Sequence, residues 1–307
     1  MENIDPFINV GDSFANKLEN KSPDEISTEV SYMTLSEHLF FVAEILNKLE
    51  INLEGVGMEI AAGASVFSNS LARIYPNIVK IQALEIVSEM VTKLQPKIIK
   101  ATNMTDRVIP IVGDFNNIKM PNSSLDFIVE FDSLHHSNDL KRTLTEIVRV
   151  LKPGGKLICF DRAHPNHMTK AQENFLLNTE YSNNYKIQHG LKIDKPYKRS
   201  DNGEHEPRIC DWEKALIDTN LQLDTIAIFS KRNLKDFLKI LAAHIPYTIR
   251  ASIKKGRGLT AHNKLLLYYL FPFFTYQGKI KIFPFYTKFK TPTAPMRKMV
   301  LIFSKIK

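Results

Sequence analysis

Four carboxylates and three imidazoles stand where this chain could do chemistry: Glu59, Glu85, Asp114 and Glu130, with His135, His136 and His164. A carboxylate accepts well from paired hydroxyls or an exocyclic amine, and an imidazole titrates near neutrality. The set suits holding a nucleotide and taking a proton from an acceptor. Near the first acid runs Ala61-Ala62-Gly63-Ala64-Ser65, small enough for a ligand to approach the backbone. A helix that starts after such a turn offers unsatisfied N–H groups and a positive dipole end. Small residues also serve plain strand-on-helix packing, so the turn alone leaves both readings open.

The elements that must position these groups follow from hydrophobic periodicity. An apolar run at 56–60 leads into the small-residue turn, and Phe67, Leu71 and Ile74 then repeat at helical spacing. A second strand ends at Glu85, and a helix is expected over 88–100, broken or split by Pro96. A third strand over 108–112 is followed directly by Gly113 and Asp114, and a buried strand over 125–131 ends in Glu130 and Phe131. Residues 132–138 form the loop carrying His135 and His136, and 140–151 form an amphipathic helix stopped by Lys152-Pro153-Gly154-Gly155. A strand over 156–161 comes next. Further along are a helix over 211–220 with Asp211 as its N-cap, a sixth strand over 223–229 and a seventh over 299–304.

This alternation specifies an α/β fold with a doubly wound, mostly parallel, seven-stranded sheet, whose ligands lie at the C-terminal strand ends. Three parts are expected: a helical cap over 1–50, the sheet domain over 51–230 with 299–307, and an insertion or lid over 231–298. In the cap, Leu35, Leu39, Phe40, Ala43, Leu46 and Leu49 mark the apolar face. The cap is expected to pack over the mouth of the sheet domain.

At 307 residues, 44% hydrophobic and 24% charged, the composition is that of an ordinary globular protein. Cys159 and Cys210 are too few for a disulfide framework or a zinc cluster, which suits a reducing compartment. The N-terminal residues lack a basic-then-apolar secretory pattern, so a cytoplasmic location is expected. The net charge of +8 conceals an asymmetry. Residues 1–50 hold three lysines against ten acids, whereas 231–307 hold seventeen basic residues against Asp236 alone.

The stretch Gly113 to Asp161, with Gly-Asp, Pro-x-x-Ser-x-Asp, Leu-His-His and Leu-Lys-Pro-Gly-Gly in order, resembles the central motifs of class I S-adenosylmethionine-dependent methyltransferases of the small-molecule group. The resemblance covers about 53–165 and implies a Rossmann-like methyltransferase fold with S-adenosylmethionine as cofactor. It implies that Glu59, Ala61 and Gly63 surround the methionine portion, that Glu85 accepts from the ribose hydroxyls, and that Asp114 faces the adenine amine with Phe115 beside the ring. Glu130 and Phe131 would line the sulfonium end. His136, His135 and His164 are the candidate bases. The opening stretch departs from the acidic-x-Gly-x-Gly-x-Gly pattern and keeps only Gly63. A left-handed backbone at Ala61 or Ser65 would cost on the order of 1 kcal/mol each.

His164 and His167 with Asp161 and Glu206 fit no standard ligand spacing, so no metal is expected. The insertion interleaves aromatic and basic residues, among them Tyr268, Tyr269, Phe271, Lys279 and Lys281. That composition suits an acceptor-covering lid or a peripheral contact with anionic lipid headgroups, and the acceptor is then a small molecule, a sugar or a lipid-linked compound methylated at oxygen. Nucleic acid is the weaker reading, because 271–274 is more apolar than a base-stacking platform needs. A non-catalytic binding or scaffold protein with a degenerate cofactor site is the other alternative.

Overall fold

The computed structural model describes residues 6–161, 164, 168–230, 279–284 and 298–306. Three helices open the chain: α1 (Pro6–Leu18), α2 (Pro23–Ser31) and α3 (Leu35–Lys48). Two of them start on capping boxes, Ser22 with Glu25 and Thr34 with Glu37, each pair satisfying two N–H groups that a helix start leaves over. The buried face of α3 is His38, Phe41, Val42, Ile45 and Leu46, rotated from the expected one: Phe40 is 65% exposed. Phe41 and His38 turn inward because aromatic partners wait there, Phe67 and Phe131.

The sheet domain begins with β1 (Gly55–Ile60), α4 (Val66–Ile74) and β2 (Ile78–Glu85). One π-helical turn, Met90–Leu94, then precedes α5 (Gln95–Ala101). The helix expected over 88–100 is not broken at Pro96: helical backbone runs on from 88 to 101, and the π-helical turn just before the proline accommodates its missing N–H. There follow β3 (Val108–Val112), β4 (Leu125–Phe131), α6 (Leu140–Val150) and β5 (Leu151–Asp161). Beyond these lie α7 (Lys170–Leu177), α8 (Asn183–Gln188), α9 (Ile209–Leu216), β6 (Leu221–Ser230), β7 (Lys279–Pro284) and β8 (Lys298–Lys305). Helix α9 starts two residues before the expected Asp211 N-cap. Arg208 is the cap, and Asp211 reaches back to accept from its backbone N–H at 3.0 Å.

The strand order is β3-β2-β1-β4-β5-β8-β6-β7. Neighbours from β3 to β5 pair in parallel, and β8 runs antiparallel between β5 and β6. The order reverses at β1, beside β4, which opens a crevice at their C-terminal ends. Seven strands are those anticipated from the sequence, and β7 adds an eighth from within the segment expected as an insertion. The rest of that insertion, 231–278 and 285–297, and with it the expected helical face from Leu234 to Ile245, lies outside the described residues.

Both faces of the sheet are covered. Phe41, Phe67, Leu71, Phe127 and Phe160 belong to one buried layer, and Ile128, Leu144, Ile147, Trp212 and Phe303 to the other. No described helix is long and apolar enough to cross a membrane.

Candidate active site

A cavity of about 1010 Å³ opens at the C-terminal ends of β1, β2, β3 and β4. Its floor is the turn between β1 and α4, and three of that turn's residues take left-handed backbone: Ala61 (φ 49°), Gly63 (φ 51°) and Ser65 (φ 61°). Two of the three carry a Cβ in a region that L-residues visit at a cost of about 1 kcal/mol or more each. Packing and hydrogen bonds impose the shape. Ala62 N–H donates to Leu84 O at 2.9 Å, Ser65 N–H donates to Ala62 O at 2.7 Å, and the Gln95 side chain donates to Gly63 O at 2.9 Å. A Cβ on Gly63 would meet nothing within 4 Å, so its backbone faces open cavity.

Relieving one of these strains is expected to stabilise the fold. Ala61→Gly should gain about 0.5–1 kcal/mol net, the left-handed relief exceeding the added chain entropy of glycine. Denaturant unfolding measures this, and a destabilised variant would show that the conformation carries no strain.

Glu59 organises the same turn from below. It is 3% exposed and accepts from the Ser68 backbone N–H at 2.8 Å and from the Ser68 hydroxyl. Ser65, the N-cap of α4, makes no side-chain cap bond to the helix N–H groups, so Glu59 does from β1 what an N-cap would otherwise do. Burial raises its pKa to about 8, only partly opposed by the Ser68 bonds.

Glu85, at the end of β2, lines the cavity although it is 5% exposed. One carboxylate oxygen accepts from Gly63 N–H at 2.8 Å and the other from Val87 N–H at 2.9 Å. These bonds aim the group and leave lone pairs for paired hydroxyls. Burial pushes its pKa upward. Asp114 lies after β3, and its Oδ1 accepts both from Asn116 N–H at 2.7 Å and from the Asn116 amide at 2.9 Å. Phe115 is beside it on the wall.

The histidines divide. His136 lines the cavity, and its Nδ1 donates to Gly203 O at 3.1 Å. His135, its neighbour, is 1% exposed and turned inward, with Nδ1 2.7 Å from Asp161 Oδ1 and its backbone N–H 2.8 Å from Asp161 Oδ2. His164 is bonded to the Glu206 carboxylate and is not among the lining residues. Glu130 likewise sits behind the wall. It is fully buried and accepts from Ser133 N–H at 3.0 Å and Ser133 Oγ at 2.9 Å, shaping the turn that presents Asp132 and Phe131. Burial and the nearby Asp161 raise its pKa strongly.

Two contributors escaped the sequence reading. His38, on α3, lines the cavity with Phe67 and Phe131, at ring centroid distances of 6.2 Å and 5.6 Å, while its Nδ1 meets Ser70 Oγ at 2.9 Å. A histidine on the inward face of an otherwise apolar helix was its only signal. The other is the roof strip Ser200, Asp201 and Gly203, which comes from a segment with no periodic pattern. Gly11, Val30 and Ser31, from the N-terminal helices, also border the cavity.

Residues 58–159 match a protein-family profile described as a methyltransferase domain. Among curated proteins, the chain is 22% identical over 135 residues to a demethylmenaquinone methyltransferase of Geobacillus sp. (strain WCH70), a match covering 44% of this chain and 57% of the relative. It is 28% identical over 120 residues to a glycine/sarcosine/dimethylglycine N-methyltransferase of Actinopolyspora halophila, covering 39% of this chain and 21% of the relative. The chain thus spans little more than half the first relative's length. A structure from Galdieria sulphuraria assigned as a sarcosine dimethylglycine methyltransferase superposes with a TM-score of 0.51 at 14% identity, covering 90% of this chain and 86% of that one, which shows a shared fold. Residues 58–159 are therefore a methyltransferase domain of the kind that takes S-adenosylmethionine as cofactor. The residues fit that group: Glu85 and Asp114 face one cavity with Phe115, above a turn whose backbone at Gly63 is open.

Proposed function

We propose that this protein transfers a methyl group from S-adenosylmethionine to a hydroxyl-bearing small molecule with a flat apolar face, of which a reduced naphthoquinone is the example favoured by the demethylmenaquinone relative. The observation that carries the reading is the shared cavity of about 1010 Å³, at the upper end of what small-ligand sites reach and ample for cofactor and acceptor together. When bound, the cofactor supplies an electrophilic methyl group on sulfur.

The chain's own residues do the remaining work. Glu85 would accept from the ribose hydroxyls, Asp114 would accept from the adenine amine, and Glu59, Ala61 and Gly63 would shape the pocket for the methionine portion. Phe131 and Phe67 present aromatic faces that exclude water and orient a planar acceptor. His136 then serves as base, because it alone of the three candidate histidines lines the cavity. Alignment of acceptor and methyl carries most of the rate in a displacement of this kind. A lipid-linked acceptor, with the basic segment 231–298 resting on an anionic membrane surface, fits the same cavity and the same composition.

Calorimetry with S-adenosylmethionine, followed by transfer of isotopically labelled methyl to a reduced naphthoquinone, tests the reading. Saturable binding and label in the organic extract are expected. No binding at high micromolar cofactor would overturn the enzyme reading in favour of a scaffold with a degenerate site. Binding without label would overturn the acceptor.

A further inference from the structure

We propose that His135, His136 and Glu204 bind one divalent transition-metal ion at the acceptor end of the cavity. One ligand atom from each of the three lies within 4.8 Å of the others. The two histidines come from the 3-10 turn after β4 and Glu204 from the roof segment, so only the fold brings them together.

Three observations point to a cation there. The first is the orientation of the rings. Asp161 holds the Nδ1 side of His135 at 2.7 Å and accepts from its backbone N–H as well, and the Gly203 carbonyl accepts from Nδ1 of His136 at 3.1 Å. Protons on both Nδ1 atoms place the lone pairs on both Nε2 atoms. An outer carboxylate or carbonyl that orients an imidazole in this way is the usual second layer of a metal centre.

The second is the spacing across the centre. His135 Nε2 stands 3.8 Å from Glu204 Oε2, long for a hydrogen bond and suited to two ligands each about 2.1 Å from one ion at a wide angle. Glu204 itself is held in place, accepting from Tyr181 Oη at 2.6 Å and from Arg199 at 2.8 Å. The third is charge. Asp161, Glu204 and Glu206 are buried at 2%, 9% and 5% exposure, and Arg199 serves both Glu204 and Glu206. A divalent cation has the sign that buried carboxylates attract, alongside Arg199.

A second grouping, Asp132, His135 and Asp161, shares His135. It is the poorer site, because Asp161 meets His135 on its protonated Nδ1 side, whereas Glu204 faces Nε2. Two imidazoles and one carboxylate favour zinc, manganese, iron or cobalt over magnesium or calcium. Three protein ligands leave positions open, and His136 faces the cavity, so those positions can take an acceptor oxygen and lower its pKa; with the ion bound, His136 is a ligand and the ion replaces it in activating the acceptor. Only that last role rests on the proposed methyl transfer; the metal binding does not.

The test uses the full chain, stripped with a chelator and titrated with cobalt(II) chloride and then zinc chloride, by calorimetry and visible absorption. One equivalent is expected to bind saturably. His136→Ala and Glu204→Gln should each weaken binding by about tenfold or more, and Asp218→Asn, an exposed acid outside this network, should leave it unchanged. Thermal unfolding checks each variant; His136 lies at the cavity wall, so its substitution decides the matter if Glu204→Gln fails to fold. Absence of saturable binding near one equivalent, or undiminished binding by His136→Ala, overturns the proposal. A parallel S-adenosylmethionine titration keeps the two readings separate: cofactor binding without metal binding sinks only the metal site.

Discussion

Glu85→Ala is expected to lower the affinity for S-adenosylmethionine by about 100-fold. The carboxylate stands at the end of β2 on the cavity wall, held by Gly63 N–H and Val87 N–H. Two ribose hydroxyls donating to it would each contribute roughly 1.5 kcal/mol or more, as hydrogen bonds to charged groups do, and about 3 kcal/mol is two decades of affinity. The substitution also leaves Gly63 N–H without its acceptor, which loosens the strained turn the methionine portion would occupy. Calorimetry measures the change. Affinity equal to that of the unaltered chain would show that the ribose sits elsewhere. Glu85→Gln, which keeps an acceptor oxygen toward the turn, should fold normally and bind with intermediate affinity, separating loss of ligand contact from loss of structure.

Stability is expected to fall as pH rises from about 6.5 to about 8.5, with Glu59 a principal cause. Its pKa is raised by burial from 4.5 to about 8. Between those values the folded state holds a proton that the unfolded state has lost. The favourable contribution is therefore complete below about pH 4.5 and disappears as pH climbs through about 8, with a slope up to about 1.4 kcal/mol per pH unit. The total is on the order of a few kcal/mol. Glu85 and Glu130, also raised by burial, act in the same direction. Carboxylates held low by partners, such as Asp126 beside Lys152 and Asp211 beside Arg208, lose their contribution only as pH falls into the acid range, so they do not offset this trend above pH 5. Glu59→Gln removes the titration while leaving an oxygen for Ser68. Its denaturant midpoint should vary less with pH than that of the unaltered chain. An equal slope in the two proteins would mean that Glu59 is ionised in the fold.

The two effects meet in one turn. Glu59 caps α4 from below and Glu85 holds Gly63 from the side, so both acids build the floor on which the cofactor would rest. Ala61 and Ser65 can adopt left-handed backbone because these bonds over-determine the loop, which is why losing two glycines from the motif does not by itself argue for a dead site. The strain amounts to only about 1–2 kcal/mol at each position.

Much of this was legible along the chain. Strands β1 to β5 were readable because a buried parallel strand must be apolar along its length, and the loops at their C-terminal ends could then be picked out by counting. That arithmetic placed Glu85 and Asp114 on one rim, the family resemblance added Phe115 and Phe131, and the cavity lies there. Local pattern also supplied the N-terminal helical segment and marked Pro96 as the irregular point of its helix, since both depend on backbone geometry within a few residues.

Folding alone decided the rest. Adjacent histidines carry the same chemistry in sequence, but successive side chains in a tight turn point apart, so His136 reached the cavity while His135 was drawn inward by Asp161, 26 residues away. Glu130 passed behind the wall for the same reason: side chains alternate faces along a strand, and the turn's own N–H groups claimed it. His38 and the strip around Gly203 joined the site from helices and loops remote in sequence. Periodicity reports what lies within a turn or two of the chain. It is silent about which distant segments will close over the end of a sheet, because that depends on packing partners the local pattern does not contain.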